Sequence, residues 1–114
     1  MNCSLEQAKE TTTLLISGPM TIEDAAHLKT SLVDALAASL IIEVDLGAAE
    51  AIDLSCLQVL CSAHRAAVQA GKKLFVPRKA DALITCLEDA GFPRHSGCLQ
   101  KEGEPCLWQE MLLP

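Results

Sequence analysis

Residues 40–47, Leu40-Ile-Ile-Glu-Val-Asp-Leu-Gly47, form a short, nearly continuous run of apolar and β-branched side chains that stops on a glycine. Such a run reads as a strand buried on both faces, the kind that occupies the middle of an α/β sheet. Glu43 and Asp45 alternate along it and project to one side. Residues 48–53 then read as a loop. A helix is expected from Ser55 to about Ala70, with Leu57, Leu60, Cys61, His64 and Val68 inward and Gln58, Ser62, Arg65 and Gln69 outward. Gly71 stands where a left-handed helix stop is wanted.

Further out the alternation continues. Lys73 to Val76 reads as another buried strand, closed by Pro77, and Asp81 to Ala90 as a helix with Leu83, Ile84 and Leu87 inward and Gly91 as its stop. Upstream, a helix begins at Thr21, where Glu23 and Asp24 complement the positive end of its dipole, and ends near Ser39. Its stripe is Ala25, Leu28, Leu32 and Leu36, widened by Ile22, Val33 and Ala37. Thr11 to Ser17 is a strand ending at Gly18-Pro19, and Cys3 to Ala8 pairs with it as a hairpin across Lys9-Glu10. In the tail, Cys106 to Trp108 can add a strand and Gln109 to Leu113 a turn. The order β-β-α-β-α-β-α calls for one α/β domain over residues 1–114, with a largely parallel sheet and hairpin-paired strands at one edge.

Half of the 114 residues are hydrophobic, enough for one core without cross-links, and only three are aromatic. The net charge of −6 and the thin basic clusters, Lys72-Lys73 and Arg78-Lys79, argue against nucleic-acid binding. Neither a membrane-spanning run nor a signal-peptide pattern is read, and the expected location is the cytoplasm. The six cysteines contain no C-x-x-C, and Cys56, Cys61 and Cys86 fall on apolar helix faces, where reduced thiols act as small hydrophobes. His95 and Cys98 with Cys106 form at most part of a metal set, so no metal or other cofactor is expected. Phosphate-cradling and hydrolase motifs are missing. His27, His64 and His95 are far apart, and His64 reads as a packed core residue.

One constellation carries weight: Ile52-Asp53-Leu54-Ser55-Cys56-Leu57-Gln58. Ser55 followed by Gln58 has the pattern of a capping box, with the serine hydroxyl as N-cap. A serine at a helix N-terminus is also a site where a phosphate dianion is tolerated by the fold, because free N–H groups and the dipole favour it. Asp53, two residues away, can hold the hydroxyl and adds repulsion once a phosphate is present. Cys56, in the first turn, is a place where a thiol pKa can fall.

These stretches, together with Leu15-Ile16-Ser17-Gly18, Val59 to Arg65 and Gly71 to Leu74, resemble the STAS family over residues 10–92. The resemblance implies a STAS-type mixed sheet of four or five strands with helices packed on it. It also implies an anti-sigma factor antagonist-like interaction module rather than an enzyme. Ser55 matches the family's phosphoacceptor, Asp53 its neighbouring Asp, and Asp45 the Asp that ends the central strand; Cys56 and Gln58 flank the acceptor. Implied partners are a serine kinase that doubles as an anti-sigma factor, bound while Ser55 is unphosphorylated, and a phosphatase that resets it. The family commonly has Asp-Ser-Ser-Gly-Leu; here Leu54 replaces the first serine and Cys56 the glycine. A second expectation is a STAS accessory subunit, without phosphorylation, of a transporter or chemosensory complex. The oligomeric state is left open.

Overall fold

A computed structural model describes residues 1–78 and 80–89 of the chain. Four strands and three helices follow one another: β1 (Asn2–Ala8), β2 (Thr11–Met20), α1 (Ala25–Ala38), β3 (Ile41–Ile52), α2 (Leu54–Gln69), β4 (Lys73–Phe75) and α3 (Asp81–Asp89). A single 3-10 turn, Ile22–Asp24, leads into α1. The strands form one sheet in the order β1-β2-β3-β4. β1 is antiparallel to β2, from Asn2 opposite Ser17 to Ala8 opposite Thr11, while β2–β3 and β3–β4 are parallel. This is the expected mixed α/β sheet with a hairpin at one edge. The hairpin turn is Lys9-Glu10, with Lys9 at φ +52°.

The two central strands are longer than expected. Residues 48–53, read as a loop, continue β3 as far as Ile52, and β2 runs past Gly18-Pro19 to Met20. Bulges account for the difference. Leu15 faces Asp45 and Ser17 faces Ala48; Gly18 faces Ala49 and Pro19 faces Ala51. In each interval β3 supplies one residue more than β2, which bends the pair without ending it. Ala-Ala-Glu-Ala has little strand propensity, so pairing with β2 decides its conformation. Gly18, at φ +78°, supplies the backbone turn beside the second bulge.

β3 is not buried equally on both faces. Ile42, Val44 and Leu46 are buried, whereas Ile41, Glu43 and Asp45 are half-buried. The buried face belongs to one core built with Leu14 and Ile16 of β2, Leu28 and Leu32 of α1, Leu57 and Leu60 of α2, Leu74 of β4, and Leu83 and Leu87 of α3. Each such side chain contributes about 1.5–3 kcal/mol on burial. His64 is buried on the inner side of α2, as expected of a core histidine.

The inner stripe of α1 also differs. Ser31 and Ala35 are buried with Leu28 and Leu32, while Ile22 and Val33 are 70% and 54% exposed. The 3-10 turn explains Ile22, because it sets that residue out of phase with the helix that follows. α2 ends as its sequence indicates. Gly71, at φ +73°, donates its N–H to Val68 O, and Lys72 N–H bonds to Ala67 O, the paired bonds of a Schellman stop. The Lys72 ammonium also reaches Leu36 O at the end of α1. The Gly91 stop, the tail strand and turn, and the His95, Cys98 and Cys106 set lie outside the described residues.

Candidate functional site

The chain leaves β3 at Ile52 and enters α2 through Asp53, whose extended backbone (φ −81°, ψ 151°) makes it the N-cap. Its N–H donates to Met20 O at 2.9 Å, which ties the cap to the end of β2. Its Oδ2 accepts the Ser55 N–H at 2.8 Å and the Ser55 hydroxyl at 2.5 Å, and its carbonyl accepts Cys56 N–H and Leu57 N–H. Ser55 is therefore the second residue inside the helix rather than its cap, and Gln58, exposed, closes no capping box. The physical reason is that the helix starts at Leu54. Asp53 is then the residue poised over the free N–H groups, and a charged acceptor serves there at least as well as a hydroxyl. The Ser55 hydroxyl and then its N–H hold the Asp53 carboxyl below its ordinary pKa.

A second cap lies beside the first. Asp24 Oδ2 accepts the Thr21 N–H at 2.8 Å and the Thr21 hydroxyl at 3.0 Å, and its pKa is lowered by the same kind of bonding, the backbone donor first. Cys56 links the two caps, since its Sγ–H donates to Thr21 O at 3.3 Å. The thiol is fully buried, and desolvation pushes its pKa up, with Asp53 and Asp24 adding in the same direction. A lowered thiol pKa at this helix start is thus corrected: burial, with the neighbouring carboxylates, outweighs the lowering effect of the hydrogen bond with Ser55. Cys56 is a core residue under the acceptor and not part of the surface around it.

Ser55 is half-buried and sits at one end of a groove of about 540 Å³ between α1 and α2. Two helical ridges wall the groove. Ala25, Lys29, Val33 and Leu36 come from α1; Ser55, Gln58, Val59, Ser62, Ala63 and Ala66 come from α2. Lys29 is its one charged residue among those described. Leu54, 48% exposed, stands at the start of α2 next to Ser55.

Asp45 is elsewhere. Its Oδ1 accepts Gly47 N–H at 2.9 Å, and Arg78 Nε lies 3.7 Å from its Oδ2. Both residues line a separate cavity of about 850 Å³, together with Asn2, Ser4 and Ser17. Of the anticipated residues, the fold therefore brings Asp53, Ser55 and Gln58 together, sets Cys56 beneath them, and leaves Asp45 with Arg78. Sequence reasoning missed the α1 wall of the groove. Its signal was Val33, which widens the apolar stripe of α1 beyond what the sheet covers.

A family model described as "Mlab, STAS domain" matches residues 3–107. No curated protein matches the chain. Among solved structures, the unphosphorylated anti-sigma factor antagonist SpoIIAA is similar, with a TM-score of 0.68 at 12% identity over 79% of this chain and 81% of that one. The phosphorylated Bacillus cell fate determinant SpoIIAA gives 0.65 at 13% identity over 79% and 84%. A structure described as Mglu gives 0.61 at 15% identity, over 68% of this chain and 20% of that one. At such identities the likeness is one of fold.

Proposed function

The chain belongs to the STAS domain family, and we propose that it is a phospho-switched interaction module of the anti-sigma factor antagonist type, acting in the cytoplasm by binding rather than catalysis. The observation that carries this reading is the placement of Ser55. Its hydroxyl lies in the first turn of α2, at the end of the α1–α2 groove, where Asp53 holds it.

In this reading the docked partner is a serine kinase that is also an anti-sigma factor. It buries the surface formed by residues 48–54, the outer face of α2 and the groove while Ser55 is unphosphorylated. Transfer forms the bond from Ser55 Oγ to the γ-phosphorus of ATP, breaks the bond to the bridging oxygen so that ADP leaves, and passes the hydroxyl proton to a base of the kinase or to water. Asp53 orients the hydroxyl; with its pKa held down it is a weak base, so its part is positioning. The phosphate dianion must turn away from the Asp53 carboxylate, which with its carbonyl already takes the N–H groups of residues 55–57, so the positive end of the helix dipole is what favours it there. A partner packed on Leu54 and the groove then meets a desolvated dianion and leaves. A phosphatase restores the hydroxyl.

Incubation with ATP and a serine kinase of the anti-sigma factor type from the same organism, followed by phosphosite mapping, tests this. Label is expected on Ser55 and lost in Ser55→Ala, and Ser55→Asp is expected to bind the kinase at least tenfold more weakly. Undiminished label in Ser55→Ala removes Ser55 from the scheme. The second reading, an accessory subunit without phosphorylation, draws on the Asp53–Ser55 hydrogen bond, which gives the serine hydroxyl a structural partner, the capping carboxylate, without any phosphate. It is favoured if no label appears and Ser55→Asp binds its partner unchanged.

A further inference from the structure

We infer that Lys29 of α1 is the counter-ion of phosphorylated Ser55, so that the phosphate turns into the α1–α2 groove and closes it to the partner with an ion pair of the chain's own. The inference rests on the phospho-switched reading of Ser55 and adds to it the group that holds the switched state. Lys29 is the one charged residue of the groove among those described, in a chain whose net charge is −6. It is exposed and has no ion pair or side-chain hydrogen bond among the described residues. Its ammonium can therefore donate charge-assisted hydrogen bonds to a phosphate without first leaving a carboxylate.

The topology sets both groups at one end of the groove. β2 and β3 are parallel, so α1 and α2, which follow them, start at the same end of the sheet. The Cys56 thiol, bonded to Thr21 O just ahead of α1, ties the two helix starts together. Ser55 is in the first turn of α2, and Lys29 begins the second turn of α1, whose first residue is Ala25. Helix side chains lean toward the N-terminus, and a lysine is long enough to span the rise of one turn, about 5.4 Å. Lys29 therefore serves the Ser55 end of the groove. The caps beside Ser55 are negative: Asp53 holds the hydroxyl, and Asp24 sits on the Thr21 cap that Cys56 touches. A dianion on Ser55 is repelled by both carboxylates and drawn to the groove, where Gln58 adds an uncharged amide donor.

The second ionisation of a phosphoserine, ordinarily at about pH 6, reads the pairing by phosphorus-31 NMR. Phosphoserine placed at position 55 during translation makes the measurement independent of any kinase. Lys29→Gln is expected to raise the midpoint by about 0.3 pH or more, since the dianion loses its cation while Asp53 and Asp24 still oppose it. Lys29→Arg is expected to match wild type. Lys73→Gln removes one positive charge at the opposite end of the sheet, where β4 starts beside Ile41, and is expected to leave the midpoint in place. A midpoint unmoved by Lys29→Gln, or moved equally by Lys73→Gln, overturns the inference, as does a phosphoserine protein that circular dichroism shows to be unfolded. The two failures are separate: a kinase that leaves Ser55 unlabelled sinks the phospho-switched reading whatever the midpoint does, and an unmoved midpoint sinks the Lys29 pairing whatever the kinase does.

Discussion

Asp53 accepts two donors from Ser55, the N–H and the hydroxyl, and Asp24 does the same for Thr21. Both carboxyls are held below their ordinary pKa in the folded protein. A lowered folded pKa contributes stability that is present above the unfolded value, about 4. That stability is lost as pH falls through the lower folded value. Urea unfolding followed from neutral pH to below about pH 3 is therefore expected to show an acid limb that is flatter in Asp53→Ala than in wild type. The same variant should melt a few degrees lower at neutral pH, where the cap is intact in wild type. An unchanged acid limb would exclude Asp53 from the acid transition. At the same scale, Cys56 is buried with its thiol pKa raised. Alkylation of the native protein, mapped by mass spectrometry, should leave Cys56 unmodified until the protein is unfolded. The Asp53–Ser55 neighbourhood was legible in the sequence because both residues occupy a short turn between a strand and a helix. Which of them capped the helix was not, since Asp and Ser serve almost equally there and only the path of the chain from Ile52 selects between them.

Elements whose own residues carry the signal were readable, and elements decided by their neighbours were not. The Gly71 stop illustrates the first kind: a glycine after a long apolar-periodic helix, found at φ +73° with both Schellman bonds closed. Gly71→Ala is expected to cost about 1 kcal/mol in urea unfolding, because an alanine must take up a left-handed conformation. The second half of β3 illustrates the other kind. Residues 48–52 contain three alanines and one glutamate, and their strand exists because β2 lies alongside through two bulges. Val33 has the same lesson for helices. It repeats at helical spacing with the inner residues of α1, yet the sheet covers a narrower arc, and the side chain is left on the wall of the groove toward α2. The α1 half of the candidate site was hidden for that reason: it needs two helices lying side by side, a relation that neither helix encodes alone.

At the scale of the molecule, β2 and β3 are, among the described residues, the strands paired on both sides, and core side chains of α1, α2 and α3 rest on the face they build. The amides of Leu14, Ile16, Ile42 and Val44 should therefore exchange with solvent only through global unfolding, and those of β1 and β4 faster. Ser55 lies away from this centre, in a first turn whose bonds run to Asp53 and, through Cys56, to Thr21. An electrostatic switch at such a place acts by changing what the surface tolerates, without rearranging the sheet. If Ser55 is phosphorylated as proposed, hydrogen exchange on the protein before and after the modification separates the two possibilities. Changed protection is expected at residues 54–57 and 21–24, with the central strands unaltered. A drop in protection along β2 and β3 would instead mean that the added charge acts by loosening the whole domain, and the partner would then be responding to a different conformation rather than to a dianion at its interface.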